Sequence, residues 1–201
     1  MHQPLNLEDV KHLASSIAAD LQALPVRNTP SYRAVRRKYS QKLRQASPEF
    51  VLELARELLN TYGLRWMAYE LIRYHPAAFQ SLTEAELEEL GRGLNSWGSV
   101  DSFARILAGP LWLKGQVTDA LITRWARSED RWLRRAALVS TVALNVRSQG
   151  GKGDVPRTLD VCRLLADDCD DMVVKALSWV LRDLVVHDPE AVQDFLARYE
   201  K

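Results

Sequence analysis

Apolar residues recur along this chain at helical spacing, and the runs are cut at short intervals by proline or glycine. Val51, Leu54, Ala55, Leu58 and Tyr62 form one stripe, and Val173, Ala176, Leu177, Val180 and Leu184 form another. Residues three and four apart lie on one face of a helix, so each stripe predicts a helix with one buried side. Alternating strand patterns joined by Asn-Gly or Asp-Gly turns do not occur in the sequence. Pro25 and Pro30 bracket a loop, Pro48 opens a helix, and Gly63 and Pro76 bound another. Gly109-Pro110, the Gln149-Gly150-Gly151-Lys152-Gly153 loop and Pro189 are read as further breaks. The expectation is an all-α chain of roughly ten to eleven helices of ordinary length.

The helices read as pairs. First helices are predicted over 48–61, 83–93, 115–127 and 156–167, and second helices over 64–75, 97–108, 130–147 and 171–187. The second helices share basic or polar residues, then a small residue, then apolar ones. Ala68, Ala136 and Ala176 take equivalent places with Ser102 between them, at steps of 34, 34 and 40 residues. That period suits a solenoid of HEAT-like helical pairs better than a four-helix bundle. Residues 1–201 are read as one domain, with a helical N-terminal cap over about 1–46 and repeat units over about 47–201. Stacked pairs bring the second helices to one concave surface, which can hold an elongated ligand.

Composition narrows the class. A hydrophobic content of 47% over 201 residues supports a real core and excludes a disordered chain. The formal net charge of +1 predicts no partner by itself. Cys162 and Cys169 have neither disulfide-framework nor zinc-site spacing, which fits a reducing cytoplasm. Neither a signal peptide nor a membrane span is expected from the apolar pattern.

Candidate site residues fall on the second helices. Trp97 and Asp101 are four apart and share a face, as do Arg131 and Arg135. Lys175, Trp179 and Arg182 line the side opposite the apolar stripe that begins at Val173. Tryptophans on a polar face beside a carboxylate and arginines suggest a ligand site, or else packing between units. Asp101 is either part of that site or simply paired with Arg105, four residues on. Trp66, Trp112, Trp125 and Trp132 are assigned to packing.

Positive charge clusters twice. No acidic residue occurs from Leu21 to Pro48, where Arg27, Arg33, Arg36, Arg37, Lys38, Lys42 and Arg44 interleave with Tyr32 and Tyr39. Arg124, Arg127, Arg131, Arg134 and Arg135 form a second group, with only Glu129 and Asp130 near them in sequence. Such groups suit a nucleic-acid backbone, whose neutralisation releases counterions. They suit equally a solvated face beside an acidic helix, and Glu84, Glu86, Glu88 and Glu89 form an acidic run that would lie on the convex side.

Three segments resemble one family. Ser96-Trp97-Gly98-Ser99-Val100-Asp101-Ser102 resembles the Trp-x-x-x-Asp segment of AlkD-type DNA alkylation repair proteins. Arg131-Trp132-Leu133-Arg134-Arg135-Ala136-Ala137 resembles its next helix, with an active-site arginine at Arg135. Lys175-Ala176-Leu177-Ser178-Trp179-Val180-Leu181-Arg182, followed by His187-Asp188-Pro189, resembles its C-terminal segment. Asn28-Thr29-Pro30 with Arg33 adds a weaker match. Order and spacing agree from about residue 25 to residue 196.

The resemblance implies HEAT-like repeats that wrap double-stranded DNA carrying alkylated bases, and excision of cationic alkylpurines of the 3-methyladenine and 7-methylguanine types. It places Trp97, Asp101 and Trp179 around the damaged nucleotide's deoxyribose and Arg135 on the DNA backbone. Arg131, Arg134, Arg182, Lys175, Arg33, Arg36, Arg37 and Lys38 are the further DNA-binding candidates. An alkylated purine already carries positive charge and leaves without a general acid. The carboxylate then stabilises the oxocarbenium-like sugar, and no lysine nucleophile, metal or organic cofactor is expected. The expected protein is a cytoplasmic monomer. The competing readings are a non-catalytic HEAT-repeat protein that binds damaged, distorted or branched DNA, and a pure protein scaffold.

Overall fold

The computed structural model describes residues 6–199, and every regular element among them is helical. None of these helices is long and apolar enough to cross a membrane. The chain divides into two compact units between Leu82 and Thr83.

The first unit holds α1 (Leu7–Gln22), α2 (Thr29–Lys42), α3 (Pro48–Asn60), α4 (Arg65–Arg73) and α5 (Pro76–Ser81). Local chemistry sets where they start. Asn6, Asn28, Ser47 and His75 each accept a backbone N–H from the first turn that follows, and α2, α3 and α5 carry proline there. Those N–H groups have no partner within the helix, and proline has none to leave unpaired. α3 packs against both α1 and α4, burying Leu54, Leu58, Met67 and Ile72.

The second unit holds α6 (Glu84–Leu90), α7 (Trp97–Phe103), α8 (Gly109–Leu113), α9 (Asp119–Ala126), α10 (Arg131–Ser140), α11 (Val142–Asn145), α12 (Val155–Leu164), α13 (Asp171–Leu184) and α14 (Pro189–Tyr199). α10 is its centre, packed on α9, α7 and α13. α12 packs against α9 and α13. The buried stripe of α13 is Val173, Ala176, Val180, Leu181 and Leu184; of the predicted stripe, Leu177 is only half-buried. Ala68, Ala136 and Ala176 are fully buried, but Ser102 is only half-buried and turns its hydroxyl back to the Gly98 carbonyl at 2.8 Å.

Gly109-Pro110 does not end a helix. A π turn over Ala104–Ala108 joins α7 to α8, so the chain is helical from Trp97 to Leu113. Proline lacks an N–H, and its ring clashes with the carbonyl four residues back in an α-helix. The wider π turn moves that carbonyl away, and the Gly109 N–H bonds Ala104, five residues back. Glycine is needed for a different reason. A Cβ on Gly109 would lie 2.5 Å from the Ser140 carbonyl oxygen and 2.9 Å from the Ala143 Cβ. The residues that read as a break are a close helix crossing.

Candidate active site and nucleic-acid interface

α7 begins with a reciprocal cap, in which Ser96 and Ser99 exchange side-chain and backbone hydrogen bonds. This start puts Trp97 at the first helical position, where it is 63% exposed. Asp101 follows one turn later and Arg105 one turn after that, on the same side of the helix.

Asp101 is held by Arg135 of α10, not by Arg105. Arg135 Nε donates to Asp101 Oδ1 and Nη2 donates to Oδ2, each at 2.8 Å. The third nitrogen, Nη1, donates to the Met172 carbonyl at the start of α13. One guanidinium therefore ties together α7, α10 and α13. The side chains are 7% exposed for Arg135 and 17% for Asp101. A planar guanidinium matched to both carboxylate oxygens compensates the desolvation of each charge and fixes the carboxylate's direction. Arg135 was expected on the DNA backbone. All three of its nitrogens have partners within the protein.

Arg105 lies over the ring of Trp179, 5.6 Å from the centroid. Trp179 is half-buried, and the carboxyl group of Asp183, four residues on, lies near its indole. Burial pushes the Asp183 carboxyl above its ordinary range, and the Trp179 donor and the charges of Arg105 and Arg182 only partly offset it. The sequence reading did not single out Asp183. The one available signal was its four-residue step from Trp179.

The other tryptophans sit as packing residues. Trp112 and Trp125 are 2% exposed, with indole nitrogens donating to Asp119 at 2.6 Å and to Glu88 at 3.2 Å. Trp66 is half-buried against the edge of Tyr32, and Trp132 is half-buried beneath Arg131.

Four of the five arginines of the second basic group pair with carboxylates distant in sequence, Arg135 with Asp101 as above, while Arg127 is exposed and forms no ion pair among the described residues. Arg124 pairs with Glu88 at 2.7 Å, Arg131 with Asp170 at 3.4 Å, and Arg134 with Asp168 at 2.6 Å. Arg134, a DNA-binding candidate from the sequence, also donates to the carbonyls of Ser128 and Glu129 and is 19% exposed. Arg131 stays 51% exposed. Lys175 pairs with Asp171 at 2.9 Å in full view of solvent, and Arg182 is exposed beyond it. The acidic run is likewise occupied. Glu84 accepts from Thr118, Glu88 accepts from Arg124 and Trp125, and Glu86 completes the cap of α6. The bonds of Glu84 and Glu88 join α6 to α9 and its N-cap.

The first basic group keeps more of its charge. Arg36 pairs with Glu70 at 3.1 Å and Lys38 with Asp20 at 2.6 Å. Arg33 and Arg37 are exposed and form no ion pair among the described residues.

No curated protein matches the chain. A sequence profile for the family described as "DNA alkylation repair enzyme" matches residues 5–201. Because that match covers nearly the whole chain, the protein belongs to the DNA alkylation repair enzyme family.

Proposed function

We propose that this protein is a monofunctional glycosylase. It hydrolyses the N-glycosidic bond of cationic alkylpurines in duplex DNA, with the helical pairs stacked as a HEAT-like solenoid that presents a concave surface to the duplex. The observation that carries this reading is the Asp101 carboxylate, oriented at two points by Arg135 on the same helical face as the exposed ring of Trp97.

The chemistry follows from the charge that develops. As the bond breaks, the purine leaves as a neutral base and the positive charge passes to the deoxyribose. A preorganised carboxylate stabilises that charge more than it stabilises the intact nucleotide, so it lowers the barrier. Trp97 and Trp179 offer aromatic faces to the electron-poor sugar, worth on the order of 0.5–2 kcal/mol each. Arg135 positions Asp101. Arg131, Lys175 and Arg182 in the second unit, and Arg33, Arg37 and Lys38 in the first, hold phosphates and set the register. Water completes the hydrolysis, so the strand stays intact.

One observation favours the second reading, a non-catalytic protein that binds distorted DNA. Arg135 engages both oxygens of Asp101 and leaves the carboxylate only 17% exposed. The deciding assay is single-turnover release of 7-methylguanine from a duplex, beside equilibrium binding to that duplex. Wild type is expected to release the base. Asp101→Asn is expected to bind as well and to release about 100- to 1,000-fold more slowly. Tight binding with no release by wild type selects the second reading.

A further inference from the structure

The first unit contains an open cleft of about 760 Å³, and of the residues that line it the proposed glycosylase function uses only Arg37, as a phosphate contact. Its walls come from the end of α2, the turn that follows it, and the turn into α5. None of the residues lining it is acidic. Arg37 and Arg44 line it, both are exposed, and neither forms an ion pair among the described residues.

Two neutral donors complete the lining. The hydroxyl of Ser40 is buried and has no hydrogen-bond partner. A buried polar group without a partner carries a cost, which an incoming acceptor relieves. His75 is 6% exposed, and its Nδ1 accepts the Ala78 N–H at 3.1 Å. That bond leaves Nε2 as the donor of the neutral ring.

The cleft also has an aromatic wall. Arg36 stacks on Tyr74, 3.7 Å from the ring centroid, while its Nε donates to Glu70 at 3.1 Å. Glu70 is buried, and its charge offsets that of Arg36, so the net positive charge of the cleft comes from Arg37 and Arg44. Arg36 covers one face of Tyr74, yet Tyr74 remains 54% exposed, so the rest of the ring is open. Two cations and neutral donors suit a phosphate group, and an open tyrosine ring beside them suits a planar base.

We infer that this cleft binds an unpaired nucleotide of a DNA strand. Its phosphate lies between Arg37, Arg44 and the Ser40 hydroxyl, and its base stacks on Tyr74. The base must be unpaired, because both faces of a base inside a duplex are already stacked. The inference rests on the DNA-binding half of the proposed function and not on the glycosylase half.

The test uses the full chain and a fluorescein-labelled oligothymidylate, with anisotropy as the readout and a blunt duplex as the parallel probe. Tyr74→Leu is expected to weaken oligothymidylate binding by about tenfold or more while leaving duplex binding unchanged. Tyr74→Phe keeps the ring and should bind like wild type, which guards against a folding artefact at the Arg36 stack. Arg44→Ala, which leaves the duplex contact Arg37 in place, should weaken single-strand binding more than duplex binding. Thymidine 5′-monophosphate should displace the probe at lower concentration than inorganic phosphate. Equal losses for single strand and duplex with Tyr74→Leu, or no loss with that variant, would overturn the inference. Inorganic phosphate competing as well as the nucleotide would also overturn it, because the site would then bind free phosphate alone. Absence of base release in the glycosylase assay would leave these results unaffected.

Discussion

Asp101 and Arg135 stand 34 residues apart in sequence and meet in two parallel hydrogen bonds of 2.8 Å. The pair joins the helix that bears Trp97 to the helix at the centre of its unit, and through Met172 it reaches the helix that bears Trp179. One ion pair thus sets both the position of the candidate catalytic charge and the packing of the helices around it.

Removing one partner should therefore cost stability and activity together. Arg135→Met leaves Asp101 as an uncompensated charge with little access to water. The expected loss is roughly 3 kcal/mol, the low end for breaking a buried pair because Asp101 keeps some exposure. Arg135→Lys keeps the charge but loses the fork. It should be milder in thermal unfolding yet still slow base release. An Arg135→Met protein that melts with wild type would show that the pair contributes nothing to the fold.

The tryptophans should separate by burial. Trp97→Ala removes a ring that is 63% exposed and should change stability by no more than about 0.5 kcal/mol. Trp125→Ala empties a site that is 2% exposed and should cost about 3–5 kcal/mol. In the release assay, Trp97→Ala should be slow although fully folded. Full activity of folded Trp97→Ala would remove this ring from the site.

Asp183 should leave a signature in the pH dependence of stability. Burial, the largest influence, raises its carboxyl above 3.8, so the folded state favours the protonated form. That contribution is complete below the unfolded value and is lost as pH rises through the folded one. Asp183→Asn keeps an acceptor for the Trp179 indole but cannot titrate. The stability of wild type relative to Asp183→Asn should be greatest in acid and should fall toward neutrality. A difference that is flat, or that grows with pH, would contradict the assignment.

Much of the local structure was legible from sequence alone. Helix existence, the start of α3 at Pro48 and the buried stripe of α13 depend on 3.6-residue periodicity and on capping groups, which act over a few residues. The same spacing put Trp97 and Asp101 on one face. It also offered Arg105 as the partner of Asp101, and there it failed. Partnership between helices depends on which turn of one faces which turn of the other. A shift of one turn is about 5.4 Å, enough to exchange one guanidinium for another.

Only the tertiary structure decided that Arg135 holds Asp101, that Arg105 covers Trp179, and that Asp183 sits beside that ring. It also decided which of the clustered arginines are paired. Arg124 and Arg134 look unopposed in sequence, yet Glu88 and Asp168 reach them from other helices. Arg33 and Arg37 lie in a stretch equally free of acidic neighbours and form no ion pair among the described residues. Coulomb energy depends on distance through space, and chain separation carries little information about it once helices pack. Gly109-Pro110 follows the same logic. Its residues carry the local signature of a break, but the neighbouring backbone at Ser140 requires a close crossing there, and a π turn carries the helix through it.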